Sequence, residues 1–291
     1  TVNLAPANLK KEGSAFDLAI AVGILVANES LPPACASGKV FCGELSLDGN
    51  LRPIPGVLPR AAQLSQEGPV ELYLPASNFK EAMCVKGLKV FPLKSLAELI
   101  SGLKGEKVLR FETSSGALPV PAREKLHLDF QDIQGQWQAK RGLEIAASGG
   151  HNVLMMGPPG AGKTMLAKRL PSILSPMTLE ESVETTKIHS VAGLLAKRGT
   201  LLAERPFRDP HHTVSSVAMV GGTSHPKPGE VSLSHHGVLF LDELAEFRRN
   251  VLEVLRQPLE EGHVTISRAA CTITLPARFM LGGALDPCPC G

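Results

Sequence analysis

Compact apolar segments separated by polar and turn-forming residues predict alternating helices and strands in the first part of the chain. Helices are predicted over 16–27, 57–66 and 93–100, and strands over 39–47 and 70–74. Between the first strand and the second helix, Asp48-Gly49-Asn50 is typical of a hairpin turn. The pattern predicts an α+β domain over residues 1–101.

Gly, Ser, Pro and charged residues replace this periodicity from residue 102 to 125, which we interpret as a linker. Beyond it, helices are predicted over 142–148, over 165–170 and along Leu244, Phe247, Val251 and Val254. Strands are predicted over 151–156 and 238–241, and a hairpin is predicted from 264–267 and 272–275. Strand–loop–helix units of this kind predict an α/β domain over 126–291, with a parallel sheet covered by helices on both faces.

Composition limits the class of protein. With 291 residues, 43% hydrophobic and 20% charged, the chain suits one large or two ordinary globular domains. The net charge of +2 neither demands nor excludes nucleic acid. No apolar run approaches the roughly 20 residues that span a bilayer, and the six cysteines do not resemble a disulfide framework, so we expect a cytoplasmic protein without a membrane partner.

One segment, between a predicted strand and a predicted helix, matches the phosphate-binding pattern G-x-x-x-x-G-K-[ST]. It consists of Gly157, Pro158, Pro159, Gly160, Ala161, Gly162, Lys163 and Thr164. The glycines let backbone N–H groups surround a phosphate at the start of the following helix. Lys163 is then expected to reach the β- and γ-phosphates of ATP, and Thr164 to supply a hydroxyl ligand to Mg²⁺.

A second segment supplies the acidic partner of this loop. The apolar residues 238–241 predict a buried strand that ends in Asp242 and Glu243. Ligands bind at the carboxyl ends of strands in open α/β sheets, so we expect Asp242 to hold Mg²⁺ and Glu243 to polarise the attacking water. Together the two segments predict an ATP hydrolase that requires Mg²⁺. We expect no small-molecule substrate other than ATP.

Four further motifs carry a family resemblance. They are Asp132-Ile133-Gln134-Gly135-Gln136, Phe207-Arg208-Asp209-Pro210-His211-His212, Pro228-Gly229-Glu230 and Cys288-Pro289-Cys290-Gly291. With the phosphate-binding loop, they resemble the Mg-chelatase-like AAA+ proteins of the ComM/YifB competence-associated group, over essentially the whole chain. The resemblance implies a hexameric motor with an insert in the second helix of its ATPase core. It also implies DNA as a partner and branch migration during recombination and natural transformation.

The first domain resembles the Lon-protease fold used without proteolysis. Alignment with peptidases of that fold places Ala15 at the position of the nucleophilic Ser and Leu58 at that of the Lys. A Ser–Lys mechanism then has neither a nucleophile nor a base. We expect a structural or partner-binding domain.

Asp286 departs from the family pattern. Members usually carry Asn there, the sensor that positions the attacking water, so we count Asp286 with Lys163 and Glu243 among the catalytic candidates. A carboxylate near the γ-phosphate is expected to repel it and to slow hydrolysis.

The chain runs from Thr1 to Gly291, and we interpret it as a fragment truncated before the AAA+ lid. We expect such a fragment to assemble poorly and to hydrolyse ATP slowly.

Several alternatives stay open. The cations and histidines of 205–234 could contact DNA phosphates in a pore or pack against a neighbouring subunit. Adjacent histidines at 211–212 and at 235–236 are expected to point apart, which disfavours a metal site. Cys288 and Cys290 form half of a possible zinc site or are free thiols. A metal-chelatase motor subunit and an ATP-binding scaffold with weak hydrolysis are the alternative functions.

Overall fold

The computed structural model describes residues 13–68, 70–115, 128–195, 201–222, 227–268 and 271–287. Two compact units make up the chain: unit 1 comprises Thr1–Pro121 and His189–Leu201, and unit 2 comprises Ala122–Ile188 and Leu202–Gly291. No sequence pattern indicated that residues 189–201 would belong with the first unit. Within the described ranges, every helix is too short or too polar to cross a membrane.

Unit 1 is built on a mixed sheet. Its helices are α1 (Asp17–Ala27), α2 (Val57–Gln66), α3 (Phe79–Ala82) and α4 (Leu96–Leu103), and its strands are β1 (Lys39–Phe41), β2 (Glu44–Leu45), β3 (Leu51–Arg52), β4 (Glu71–Pro75), β5 (Lys86–Leu93) and β6 (Glu112–Ser115). The main sheet has the order β1-β4-β5-β6, in which the first three strands are parallel and β6 is antiparallel. Strands β2 and β3 form a separate hairpin at the predicted turn.

An aromatic ladder crosses the parallel part of this sheet. Phe41, Tyr73 and Phe91 are register partners on β1, β4 and β5. Their ring centroids lie 5.0 Å and 4.4 Å apart, so they stack across neighbouring strands. Burial raises the pKa of the Tyr73 hydroxyl.

The elements of unit 1 depart from the predictions in several places. The strand predicted over 39–47 is two strands, because Gly43 turns away from the sheet and donates to the carbonyl of Ala15. The helix predicted over 93–100 begins only at Leu96, where the Ser95 hydroxyl caps it. Strand β5 was not predicted, and β6 lies inside the segment interpreted as a linker.

Unit 2 is built on a parallel sheet. Its helices are α5 (Trp137–Gly149), α6 (Lys163–Ile173), α7 (Leu179–Val191), α8 (Ser216–Val220), α9 (Glu230–Leu233), α10 (Arg249–Glu253) and α11 (Arg256–Glu261), and its strands are β7 (Val153–Met156), β8 (Phe207–Arg208), β9 (Val238–Leu241), β10 (His263–Arg268), β11 (Cys271–Pro276) and β12 (Met280–Leu285). The sheet order is β7-β12-β9-β8, with every neighbouring pair parallel, and β10 and β11 form the predicted hairpin. The last residues of α7 fall in unit 1.

Helices cover both faces of this sheet, as predicted. All four residues of β9 are buried, and their side chains alternate between the two faces. Val238 packs in a cluster with Leu143 of α5 and Leu166 of α6. Leu239 packs on the other side, in a cluster with residues of α8, α9 and α10.

The single helix predicted along Leu244, Phe247, Val251 and Val254 is wrong. A 3₁₀ turn, Leu244–Glu246, is followed by two extended residues, Phe247 and Arg248, and only then by α10. The apolar spacing reflects burial of Phe247 and Val251 in one cluster rather than one continuous helix. Gly262, in the left-handed conformation at φ 71°, ends α11.

Candidate nucleotide-binding site

The parallel sheet of unit 2 brings the candidate residues to one edge. Since all four strands run in the same direction, their carboxyl ends lie together. Gly157 follows β7, Asp286 follows β12, Asp242 follows β9 and Asp209 follows β8. Segments far apart in the sequence therefore form a single site.

The loop between β7 and α6 has the backbone that a phosphate cradle requires. Gly160 and Gly162 adopt φ values of 77° and 88°, a backbone conformation that residues other than glycine rarely adopt. Helix α6 begins at Lys163, and no side chain among the described residues caps its N-terminus. Its first N–H groups are thus directed at the loop, where an anion would be bound.

Lys163 lies across this loop. Its Nζ donates to the carbonyl oxygens of Gly157 at 2.7 Å and Pro158 at 3.0 Å. It also pairs with Oδ1 of Asp286 at 2.6 Å. The lysine was predicted to reach phosphates; its contact with Asp286 was not predicted.

The two predicted Mg²⁺ ligands are in direct contact. The hydroxyl of Thr164 donates to Oδ2 of Asp242 at 2.6 Å, while Oδ1 of Asp242 accepts from the backbone N–H of Glu243 at 3.0 Å. A hydroxyl and a carboxylate oxygen beside a phosphate cradle are the donors that Mg²⁺ prefers. The residues present therefore fit a Mg²⁺–phosphate complex.

Glu243 is held at the front of the site. Its φ of 51° is unusual for a residue with a side chain, and its carboxylate is 58% exposed. The Nδ1 atom of His212 lies 3.2 Å from Oε2 of Glu243. The His212 ring packs against His211 with centroids 4.0 Å apart, so the expectation that these two rings point apart is wrong. His212 could not be placed at this site from the sequence, because β8, the strand that leads to it, has only two residues.

A cavity of about 330 Å³ adjoins the loop. It is lined by apolar residues of α5 and β7, together with Gln136, Ala161 and Lys163. The Gln136 side chain donates to the carbonyl of Ala161 at 3.3 Å, which joins the motif at 132–136 to the phosphate-binding loop. In the sequence alone, this motif indicates only the family resemblance.

The cations of the 205–234 segment are largely engaged within unit 2. Arg208 forms a two-pronged pair with Glu230 at 2.6 Å and 2.8 Å, and this hydrogen bonding raises the pKa of Arg208. Arg205 binds Glu181 at 2.9 Å and the carbonyl of Ser175 at 2.7 Å. His225 lies outside the described residues.

The expectation that His235 and His236 point apart is wrong. His236 has a φ of 57°, and this turn brings both rings to Glu184, at 3.2 Å and 3.0 Å. Nδ1 of His235 accepts from the backbone N–H of Arg278, so its Nε2 carries the proton and offers no lone pair to a metal. Burial lowers the pKa of His235 to about 4, which keeps the ring neutral.

The residues compared with the peptidase dyad are buried in unit 1. Ala15 is 8% exposed and Leu58 is fully buried. The neighbouring Ser14 hydroxyl donates to Glu44. Cys288 and Cys290 lie outside the described residues, as does the side chain of Arg268.

The chain matches two family descriptions. Residues 129–291 match the family "Magnesium chelatase, subunit ChlI", and residues 1–78 match "Subunit ChlI of Mg-chelatase".

Curated relatives match over the full chain. It is 47% identical over 294 residues to competence protein ComM of Haemophilus influenzae, with 100% of this chain and 57% of the relative covered. It is 42% identical over 291 residues to YifB of Escherichia coli, covering 100% and 56%. Lon protease 2 of Bacillus subtilis is 30% identical over 168 residues, covering 53% and 29%. The chain spans little more than half the length of ComM and YifB. It belongs to the magnesium chelatase subunit ChlI family, in the group that contains the ComM and YifB proteins.

Proposed function

We propose that the protein is an AAA+ ATPase that binds and hydrolyses Mg·ATP at the carboxyl edge of the unit 2 sheet. The observation that carries this proposal is the contact between Thr164 and Asp242 at 2.6 Å, beside Lys163 and the N-terminus of α6. These groups come from two distant segments and match the donors that a Mg·nucleotide requires.

Each residue then has a defined role. The N–H groups of the loop and of α6 bind phosphate oxygens, and Lys163 neutralises the β- and γ-phosphates. Thr164 and Asp242 hold Mg²⁺, which supplies positive charge against the phosphates. The exposed carboxylate of Glu243 orients a water and takes its proton, while His212 fixes that carboxylate from 3.2 Å. The apolar cavity beside Gln136 suits the base of the nucleotide.

The hydrolysis would drive a homo-oligomeric motor that remodels DNA. Support comes from the 47% identity to ComM, which is named as a competence protein. The family resemblance carried by the sequence motifs implies a hexamer, branch migration and a role in natural transformation. Because Arg205 and Arg208 are engaged within unit 2, we place DNA contacts on other cations of the assembled protein. A cytoplasmic location follows from this role.

Two alternatives draw on specific observations. The family description favours a metal-chelatase motor subunit, which would act on a partner protein rather than on DNA. The pairing of Lys163 with Asp286 favours an ATP-binding scaffold with weak hydrolysis.

Unit 1 is proposed to be a Lon-like module without peptidase activity. The resemblance of the first domain to the Lon-protease fold motivates this proposal, and Lon protease 2 of Bacillus subtilis is 30% identical over 53% of this chain. Buried Ala15 and Leu58 at the dyad positions leave no nucleophile or base. Its role would be structural or partner-binding.

The test is ATP hydrolysis by the full-length protein, with and without branched or single-stranded DNA, beside Lys163→Ala. A DNA motor predicts turnover that rises with DNA and is lost in the variant. An ATP hydrolysis rate that does not change with DNA would favour the chelatase-type alternative. ATP binding with negligible hydrolysis would favour the scaffold. Turnover that survives in Lys163→Ala would contradict the assigned site.

A further inference from the structure

The ammonium group of Lys163 has all its donors engaged. A lysine side chain offers three N–H donors. The carbonyls of Gly157 and Pro158 and the carboxylate of Asp286 lie within 2.6 to 3.0 Å of Nζ and supply one acceptor each. A phosphate oxygen can therefore bind Lys163 only by replacing one of these acceptors.

Asp286 is the acceptor that can be exchanged. The two carbonyls belong to the loop backbone, and moving them would deform the phosphate cradle itself. The Asp286 side chain lies just beyond β12 and is 44% exposed, so rotation moves it into water. Lys163 is only 12% exposed, so an anion is its favourable partner in every state of the site.

We propose that Asp286 is a built-in competitor of the nucleotide phosphates for Lys163, and that it sets the affinity of the site for ATP. The inference rests on the function proposed above and deepens it. Asp286 occupies the place of a phosphate on the lysine, and ATP binds by displacing it.

Competition by a carboxylate has a consequence for nucleotide selectivity. After displacement, Asp286 stays close to the bound phosphates and repels them, and the repulsion grows with their charge. ATP, which carries a third phosphate, is therefore penalised more than ADP. A neutral Asn at this position would release Lys163 and remove the repulsion.

The experiment measures dissociation constants for Mg·ATP and Mg·ADP by calorimetry in the full-length protein. Asp286→Asn and Asp286→Ala both remove the carboxylate, and the alanine variant excludes a new contact made by the amide. Glu253→Gln is the matched control, because it removes one negative charge from an exposed ion pair on α10. A thermal scan without nucleotide shows that each variant is folded.

Both Asp286 variants are expected to bind ATP about tenfold more tightly, because one charge-assisted competitor for Lys163 is lost. Their affinity for ADP is expected to increase by a smaller factor. The control is expected to bind like the unsubstituted protein. Unchanged affinity in the variants would overturn the proposal, as would the weaker binding expected if Asp286 were a Mg²⁺ ligand. Failure of the proposed function is distinguishable, because the unsubstituted protein would then bind neither nucleotide.

Discussion

The two units both contain parallel strands, yet the polar networks beside those strands differ in exposure. In unit 1 the network of Asn78 and Glu81 is enclosed, and both residues are at most 6% exposed. Unit 2 also buries polar residues, but those at the carboxyl ends of its strands are open to solvent: Asp286 and Glu243 are 44% and 58% exposed. The first network holds the fold together, whereas the proposed function requires the second to exchange partners with a ligand.

Glu81 illustrates the enclosed arrangement. Its carboxylate accepts from the backbone N–H of Leu58 at 2.9 Å, from the Asn78 amide at 3.2 Å and from the hydroxyl of Ser190. Asn78 in turn bonds both backbone groups of Ile54. If the carboxylate were removed, the N–H of Leu58 and the hydroxyl of Ser190 would lose their acceptor, and the Asn78 amide would keep only its bond to the carbonyl of Ile54.

The largest expected effect is on catalysis in unit 2. Glu243→Gln keeps the shape of the side chain but cannot accept a proton from water, so ATP turnover should fall about a thousandfold while ATP affinity changes less than about twofold. Steady-state hydrolysis and calorimetry measure the two quantities. Glu246→Gln, three residues further along the chain and exposed, is the control. Turnover above a tenth of the original in Glu243→Gln would contradict the assignment.

The next effect is on the stability of unit 1. Glu81→Ala should lower its free energy of unfolding by about 3 kcal/mol, since three buried donors lose their acceptor. Hydrogen exchange should accelerate in peptides of unit 1, while the ATP affinity of unit 2 is unchanged. The exposed Glu67→Ala, at the end of α2, should leave exchange unaltered. Equal protection in both variants would show that the Glu81 network does not stabilise unit 1.

The sequence predicts an element well when the residues on its buried face are apolar. Strand β9 and helix α2 were located to the residue, because their apolar residues are the buried ones. Helix α7 was missed since its buried face is polar, and includes Ser182, Thr185 and Thr186. Their hydroxyls bond to backbone carbonyls, so no apolar periodicity marks the helix.

The site was predictable only where one segment carries its own pattern. The loop at 157–164 and the strand ending in Asp242 could be recognised separately, and the parallel sheet brings them together. The contacts of Lys163 with Asp286 and of Glu243 with His212 depend on the strand order and could not be inferred. The roles of these residues in catalysis remain predictions.

A smaller effect concerns the pH dependence of unit 2. The pKa of His235 is about 4 in the folded chain, against 6.5 when unperturbed. Between these values the unfolded chain binds a proton that the folded chain does not, so stability falls with falling pH, by about 2 kcal/mol at pH 5. The lowered pKa values of Glu181 and Glu184 add a loss of the same sign at lower pH.

His235→Asn tests this account, because the amide oxygen can still accept from the N–H of Arg278. The variant should be less stable at pH 7 but should lose less stability between pH 7 and pH 5, as measured by denaturant unfolding. A slope identical to that of the unsubstituted protein would show that another group controls the acid response.

The smallest effect is expected away from both networks. Arg249 and Glu253 form an exposed pair on α10, with side chains 92% and 63% exposed. Glu253→Gln should change the free energy of unfolding by less than about 0.5 kcal/mol. Thermal unfolding measures this change. A larger loss would mean that exposed charges away from the strand ends also contribute to the free energy of unfolding.

The most direct test of the central claim is ATP binding by the full-length protein in the presence of Mg²⁺. Calorimetry would compare the unsubstituted protein with Lys163→Ala and with Lys168→Ala, a lysine on the same helix whose partner is Asp209. We expect Lys163→Ala to weaken ATP binding at least about a hundredfold and Lys168→Ala to leave it within about twofold. Equal affinities in the three proteins would show that ATP is not bound at the carboxyl edge of the unit 2 sheet.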